Sequence, residues 1–129
     1  MEQGEIRVLL CDDAPAFRVL MRYAFEEDPA FVVVGEAADG VAGLEAVEAL
    51  APDVVLLDLS MPRLEGIDAI AAMRERSPQS RIVALSGFTA EDMADVAIAR
   101  GAHAYVEKSA DMETIRETVR AAAARGTAA

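Results

Sequence analysis

Two apolar runs in this chain end abruptly on carboxylates: Ile6-Arg7-Val8-Leu9-Leu10-Cys11 meets Asp12-Asp13, and Val54-Val55-Leu56-Leu57 meets Asp58. Such runs, rich in branched residues, read as strands buried on both faces, the condition of a parallel sheet covered by helices. In open α/β sheets ligands bind at the carboxyl edge, so three carboxylates converging there suggest a metal site or a nucleophile. The simpler alternative is that each Asp caps the helix that follows.

The remaining pattern alternates strand and helix. After Asp13, the positions Phe17, Leu20, Met21, Ala24 and Phe25 have the spacing of a helix lying on a sheet, and Asp28-Pro29 ends it. Phe31 to Val34 reads as a second strand. Gly35 to Gly40 leads to a helix with Val41, Leu44, Val47 and Leu50 on one face, and the third strand runs to Asp58. A long loop, Leu59 to Gly66, precedes a helix with Ile70 and Met73 or Arg74 in its stripe, stopping before Pro78. Arg81 to Leu85 is the fourth strand, delivering Ser86 and Gly87. Thr89-Ala90-Glu91-Asp92 resembles a capping box for a helix that Gly101 terminates. Ala104 to Glu107 is a short fifth strand leading to Lys108, and Met112, Ile115 and Val119 mark a last helix that Gly126 is expected to end.

This alternation predicts an α/β fold, a doubly wound five-stranded parallel sheet of flavodoxin-like order 2-1-3-4-5 with five helices on both faces. A chain of 129 residues, 53% hydrophobic, suits one domain over residues 1–129. The single cysteine, Cys11, permits no internal disulfide and reads as core. A polar amino terminus and the lack of a run of ~20 apolar residues predict a soluble, cytoplasmic protein. A net charge of −11 argues against direct binding to nucleic acid or an anionic membrane. Among twelve basic residues only Lys108 is lysine, which suggests a place for a compact ammonium on a flexible stem.

Asp12, Asp13, Asp58, Ser86 and Lys108 therefore meet at strand ends. Crowded carboxylates repel unless a cation lies among them, and magnesium takes oxygen ligands from one or two carboxylates, water and phosphate. An aspartate beside such an ion can attack phosphorus and form an acyl phosphate, with a lysine and a hydroxyl binding the other phosphoryl oxygens.

With Asp12-Asp13, Leu57-Asp58-Leu59-Ser60-Met61-Pro62 followed by Gly66, Ser86-Gly87 and Tyr105-Val106-Glu107-Lys108 in this order, essentially the whole chain resembles the receiver domain of bacterial two-component response regulators. The resemblance implies that Asp58 accepts a phosphoryl group from a histidine kinase or phosphotransfer protein. It implies Mg2+ held by Asp13, Asp58 and the Ser60 backbone carbonyl, with Asp12 acting mainly through a metal-bound water. Ser86 and Lys108 would bind phosphoryl oxygens and Gly87 would leave them room. Tyr105 would pack inward on activation, switching the surface of helix four, strand five and helix five toward a downstream output domain or partner, with homodimerisation on phosphorylation as a further expectation.

Ser60 and Phe88 occupy positions that set phosphoryl lifetime in that family, and bulky Phe88 is expected to obstruct water and lengthen it. Many receivers carry proline after the lysine, whereas Ser109 follows Lys108 here, so other packing must position Lys108. The Lys-Ser ending, Val33-Val34-Gly35-Glu36-Ala37 and Pro52-Asp53-Val54 resemble receivers attached to a carboxy-terminal helix-turn-helix domain, which is absent from this segment.

No enzymatic activity is expected beyond turnover at Asp58. The enzyme rival, an aspartate-nucleophile phosphatase of the haloacid dehalogenase type, needs a second Asp two residues past the nucleophile, where this chain has Ser60, and places its acid pair last in sequence. A flavin or nucleotide module would want phosphate-cradling Gly, Ser or Thr in place of Asp12-Asp13. His103 matches no metal partner and reads as a surface or packing residue. Surplus apolar positions on the fourth helix, Val96 to Ala99, suggest an interaction face.

Overall fold

The computed structural model describes residues 5–60, 66–87 and 91–127. Its elements alternate without interruption: β1 (Ile6–Cys11), α1 (Pro15–Glu26), β2 (Phe31–Ala37), α2 (Gly40–Leu50), β3 (Val54–Asp58), α3 (Gly66–Arg76), β4 (Arg81–Ser86), α4 (Glu91–Ala99), β5 (Ala104–Glu107) and α5 (Met112–Thr127). All neighbouring strands pair parallel, in the expected order β2-β1-β3-β4-β5. The order reverses between β1 and β3, so the ends of those two strands border the crevice where the crossovers part to opposite faces.

Each strand feeds two separate apolar layers by simple alternation. Val8, Leu10, Val54, Leu56, Val83, Leu85 and Val106 pack against Met21 and Phe25 of α1 and Ile115 and Val119 of α5. Leu9, Cys11, Val55, Leu57, Ile82 and Ala84 pack on the opposite face against Leu44 and Val47 of α2, Ile70 and Met73 of α3 and Ala97 of α4. All five residues of β3 are buried, which explains its unbroken apolar character up to Asp58. Among the described residues no helix is long and apolar enough to cross a membrane.

One packing position and two boundaries differ from the periodic reading. Leu20, expected in the α1 stripe, is 55% exposed beside Val19 and Tyr23, and the buried stripe is Met21, Ala24 and Phe25 with Phe17 half-buried at its start. Arg18, not Leu20, takes the adjoining inward position, because it finds Glu36 and the Asp12 carbonyl to bind. β2 extends past Val34 to Ala37 through a register shift, Val8 pairing Val33 while Leu9 pairs Gly35. The extra residue turns Glu36 to the face covered by α1. Gly35 leaves room there for the end of the Leu50 side chain, whose Cδ1 would lie 2.8 Å from an added Cβ and would have to shift. Finally, α5 runs one residue past Gly126, within the ordinary fraying of a helix end. The expected break at Gly101 is present, with φ +116°. The proposed capping box begins at Thr89 and Ala90, which lie outside the described residues.

Candidate functional site

The tight β1–α1 turn presents the first two carboxylates. Asp12 is fully buried, and its Oδ1 accepts from the Ala14 N–H at 2.8 Å, closing the turn onto itself. Arg18 Nη1 donates to the Asp12 carbonyl from one helical turn on. Asp13 is exposed beside it, and α1 begins at Pro15 with Ala14 at the cap position and no side-chain cap bond, so the capping alternative does not describe Asp13.

Asp58 closes β3 at 1% exposure. Its Oδ1 accepts from the Ser60 N–H at 3.0 Å. Carboxylate oxygens of Asp12, Asp13 and Asp58 lie within 4.8 Å of one another. The convergence expected from the strand ends is therefore realised in space.

Lys108, at the mouth of β5, reaches back into this acid group. Its Nζ lies 2.8 Å from Asp12 Oδ2 and 3.5 Å from Asp58 Oδ2, and 4.6 Å above the centre of the Phe17 ring. Its backbone N–H donates to the Ser86 carbonyl at 2.9 Å, tying the β5 exit to the β4 exit. Burial pulls the ammonium toward the neutral form, but the contact with Asp12 and the charges of Asp58 and Asp12 outweigh it and hold Lys108 above its ordinary value. Asp58 is shifted up: burial dominates, the Ser60 N–H opposes it, Asp12 reinforces it and Lys108 opposes it again. The neighbouring Cys11 thiol is pushed up to about 12 by burial and by Asp12, leaving it an inert core group.

One lysine does not balance three carboxylates. The Lys108 ammonium lies 2.8 Å from buried Asp12 Oδ2 and 3.5 Å from Asp58 Oδ2, one positive charge shared between two of the acids. Oxygen-only donors and a surplus of negative charge suit a hard divalent cation entering beside exposed Asp13.

Ser86 ends β4 fully buried, and a Cβ on Gly87 would meet nothing within 4 Å among the described residues, so the space beside it is open. Tyr105 is half-buried against the layer formed with α2, α3 and α4. Ser60 is exposed at the turn after Asp58, while Phe88 lies outside the described residues. His103 is a packing residue: its backbone N–H donates to the Ile82 carbonyl, and its Nδ1 accepts from the Ile82 N–H at 2.9 Å. The extra apolar positions on α4 are divided, with Ala97 buried and Val96 and Ile98 exposed.

Two contacts escaped the sequence reading, the Arg18 bond to the Asp12 carbonyl and the Phe17 ring beneath Lys108. Both come from residues within a helical stripe, where periodicity registers burial but not what the side chain touches.

The match to known proteins agrees with this arrangement. The family model described as "Response regulator receiver domain" matches residues 8–120. The chain is 38% identical over 122 residues to the nitrate/nitrite response regulator protein NarL of Escherichia coli strain K12, covering 95% of this chain and 56% of that protein. It is 36% identical over 110 residues to a protein-glutamate methylesterase/protein-glutamine glutaminase of Geobacter metallireducens, covering 84% of this chain and 30% of the relative. The chain thus spans about half or less of these relatives' length. Among solved structures, the signal receiver domain of the putative response regulator NarL from Mycobacterium tuberculosis superposes with a TM-score of 0.85 at 32% identity, covering 98% of this chain and all of that one. With five parallel strands in the same order and a family match over most of its length, the chain belongs to the response regulator receiver domain family.

Proposed function

We propose that this receiver takes a phosphoryl group onto Asp58 from a phosphohistidine donor, a histidine kinase or phosphotransfer protein. An Asp58 oxygen attacks phosphorus, the P–N bond breaks, and the imidazole leaves with the bond's electron pair. The observation that carries the reading is the setting of Asp58: buried at the strand end, with one oxygen held by the Ser60 N–H and the other facing Lys108.

Asp12, Asp13, Asp58 and the Ser60 carbonyl are the residues that would hold Mg2+, which supplies charge neutralisation at the transferring group. Lys108 and the Ser86 hydroxyl bind phosphoryl oxygens, and Gly87 leaves space for them. Capture of that charge by Ser86 biases Tyr105 and the surface of α4, β5 and α5 toward its output, a change that a few charge-assisted hydrogen bonds can drive. Ser60 and Phe88 set how soon water reaches the acyl phosphate. The chemistry acts on the chain's own Asp58, and the output lies in a further domain, a partner or a second copy.

Incubation of the chain with acetyl phosphate and Mg2+, followed by intact mass, tests this. One phosphoryl adduct that disappears in Asp58→Asn is expected. No adduct, or an adduct that persists in that variant, overturns the proposal.

A further inference from the structure

Lys108 has an anchoring problem. Its four-carbon stem is flexible, and the residue after it is exposed Ser109, which imposes no ring constraint on the backbone. Beyond its backbone N–H, the ammonium is held by Asp12, Asp58 and the face of Phe17. The two carboxylates are also the groups that a divalent cation would draw on, so a bound ion weakens both ion pairs. The aromatic face competes for no such ligand. At 4.6 Å from the ring centre, the ammonium is within the range of cation–π attraction.

Phe17 is itself fixed. It sits half-buried in the first turn of α1, packed against the layer that contains Met21 and Phe25. Arg18, the next residue, binds the Asp12 carbonyl, so the same helical turn grips the acidic loop and supports the lysine.

We propose that Phe17 is a positioning residue whose ring seats the Lys108 ammonium beside the phosphoacceptor pocket, holding it when Asp12 and Asp58 engage a divalent cation. The proposal rests on the phosphoacceptor reading above. It assigns to a ring on α1 the anchoring that the chain after Lys108 does not provide.

Because Lys108 is the sole lysine, incorporation of ε-13C lysine gives one resonance without assignment. In the full chain, its Hε signal is expected to be displaced upfield by the ring, to stay displaced when Mg2+ is added, to lose the displacement in Phe17→Leu and to retain it in Phe17→Tyr. Phosphoryl uptake from acetyl phosphate with Mg2+ is expected to slow roughly two- to five-fold in Phe17→Leu, the size of an exposed cation–π contact, and to recover in Phe17→Tyr. A merely structural role for Phe17 would not move the resonance in this pattern. An Hε signal in Phe17→Leu equal to wild type, loss of the displacement with Mg2+, or Phe17→Tyr as slow as Phe17→Leu overturns the proposal. If wild type takes up no phosphoryl group, the phosphoacceptor reading falls, and the seat is judged by the resonance alone: displacement kept with Mg2+ and lost in Phe17→Leu supports it, and any other pattern overturns it.

Discussion

Lys108 is paired more closely with Asp12, at 2.8 Å, than with Asp58, at 3.5 Å. The lysine therefore compensates chiefly the carboxylate that is fully buried, and the two acids sit at different distances from their cation.

Removing the lysine leaves the buried Asp12 charge without its cation. Lys108→Met is expected to lower stability by about 1–3 kcal/mol, the cost of stranding a buried polar partner, with millimolar Mg2+ recovering part of the loss in a thermal melt. The pH dependence has a defined sign. Because folding raises Lys108 above its ordinary 10.5, the pair's stabilisation is complete below pH 10.5 and fades as pH climbs through the higher folded value. Alkaline melts of Lys108→Met should lack that step.

Asp58 shows the opposite linkage. Burial raises its pKa above the ordinary 3.8, so the ionised group costs the fold stability as pH rises from 3.8 through the folded value. Asp58→Asn is expected to melt higher than wild type at pH 7, by about 1 kcal/mol or roughly 3–5 °C, and to lose that advantage below pH 3.8. Equal melting temperatures at pH 7 would contradict the direction.

Arg18 joins the acidic turn to the sheet edge, its Nη1 on the Asp12 carbonyl and its Nε on Glu36 at 2.8 Å. Arg18→Ala is expected to weaken Mg2+ binding roughly ten-fold by loosening that turn, read by calorimetric titration. Burial tends to raise the Glu36 pKa, but its hydrogen bonds from Arg22 and Arg18 prevail and lower it. Its contribution is thus present above the ordinary 4.5 and disappears as pH falls through the folded value, a step that should shrink in Arg18→Ala.

Gly101 terminates α4 with φ +116°, and a Cβ there would lie 2.9 Å from Arg74 Cδ. Gly101→Ala is expected to cost about 1–3 kcal/mol in denaturant unfolding, with phosphoryl uptake at Asp58 retained.

Strand order, the four crossovers and the acid cluster are legible because each rests on a local signal: buried apolar runs, helical spacing and polar residues at strand ends. β2 extends beyond its sequence signal because a register shift leaves no periodic mark, and Glu36 therefore reads as loop. Spacing alone directs Leu20 inward, because it cannot weigh a leucine against an arginine that has a carboxylate and a carbonyl to bind. The resemblance supplied the roles of Ser86 and Lys108, while the seat on Phe17 depends on a contact between residues 91 positions apart in the 129-residue chain.

The alternation that divides the core also divides the site. Asp12 continues the inward set of Val8 and Leu10, Asp58 that of Val54 and Leu56, and Lys108 that of Ala104 and Val106, so all three belong to the side of the sheet covered by α1 and α5. Ser86 continues Ile82 and Ala84, and Tyr105 packs with them on the side of α2, α3 and α4. The sheet is in effect a partition with the charged cluster in one room and Ser86 and Tyr105 in the other. The two sides are joined at the rim of that wall, where the Lys108 N–H donates to the Ser86 carbonyl and the Leu59 N–H to the Leu85 carbonyl.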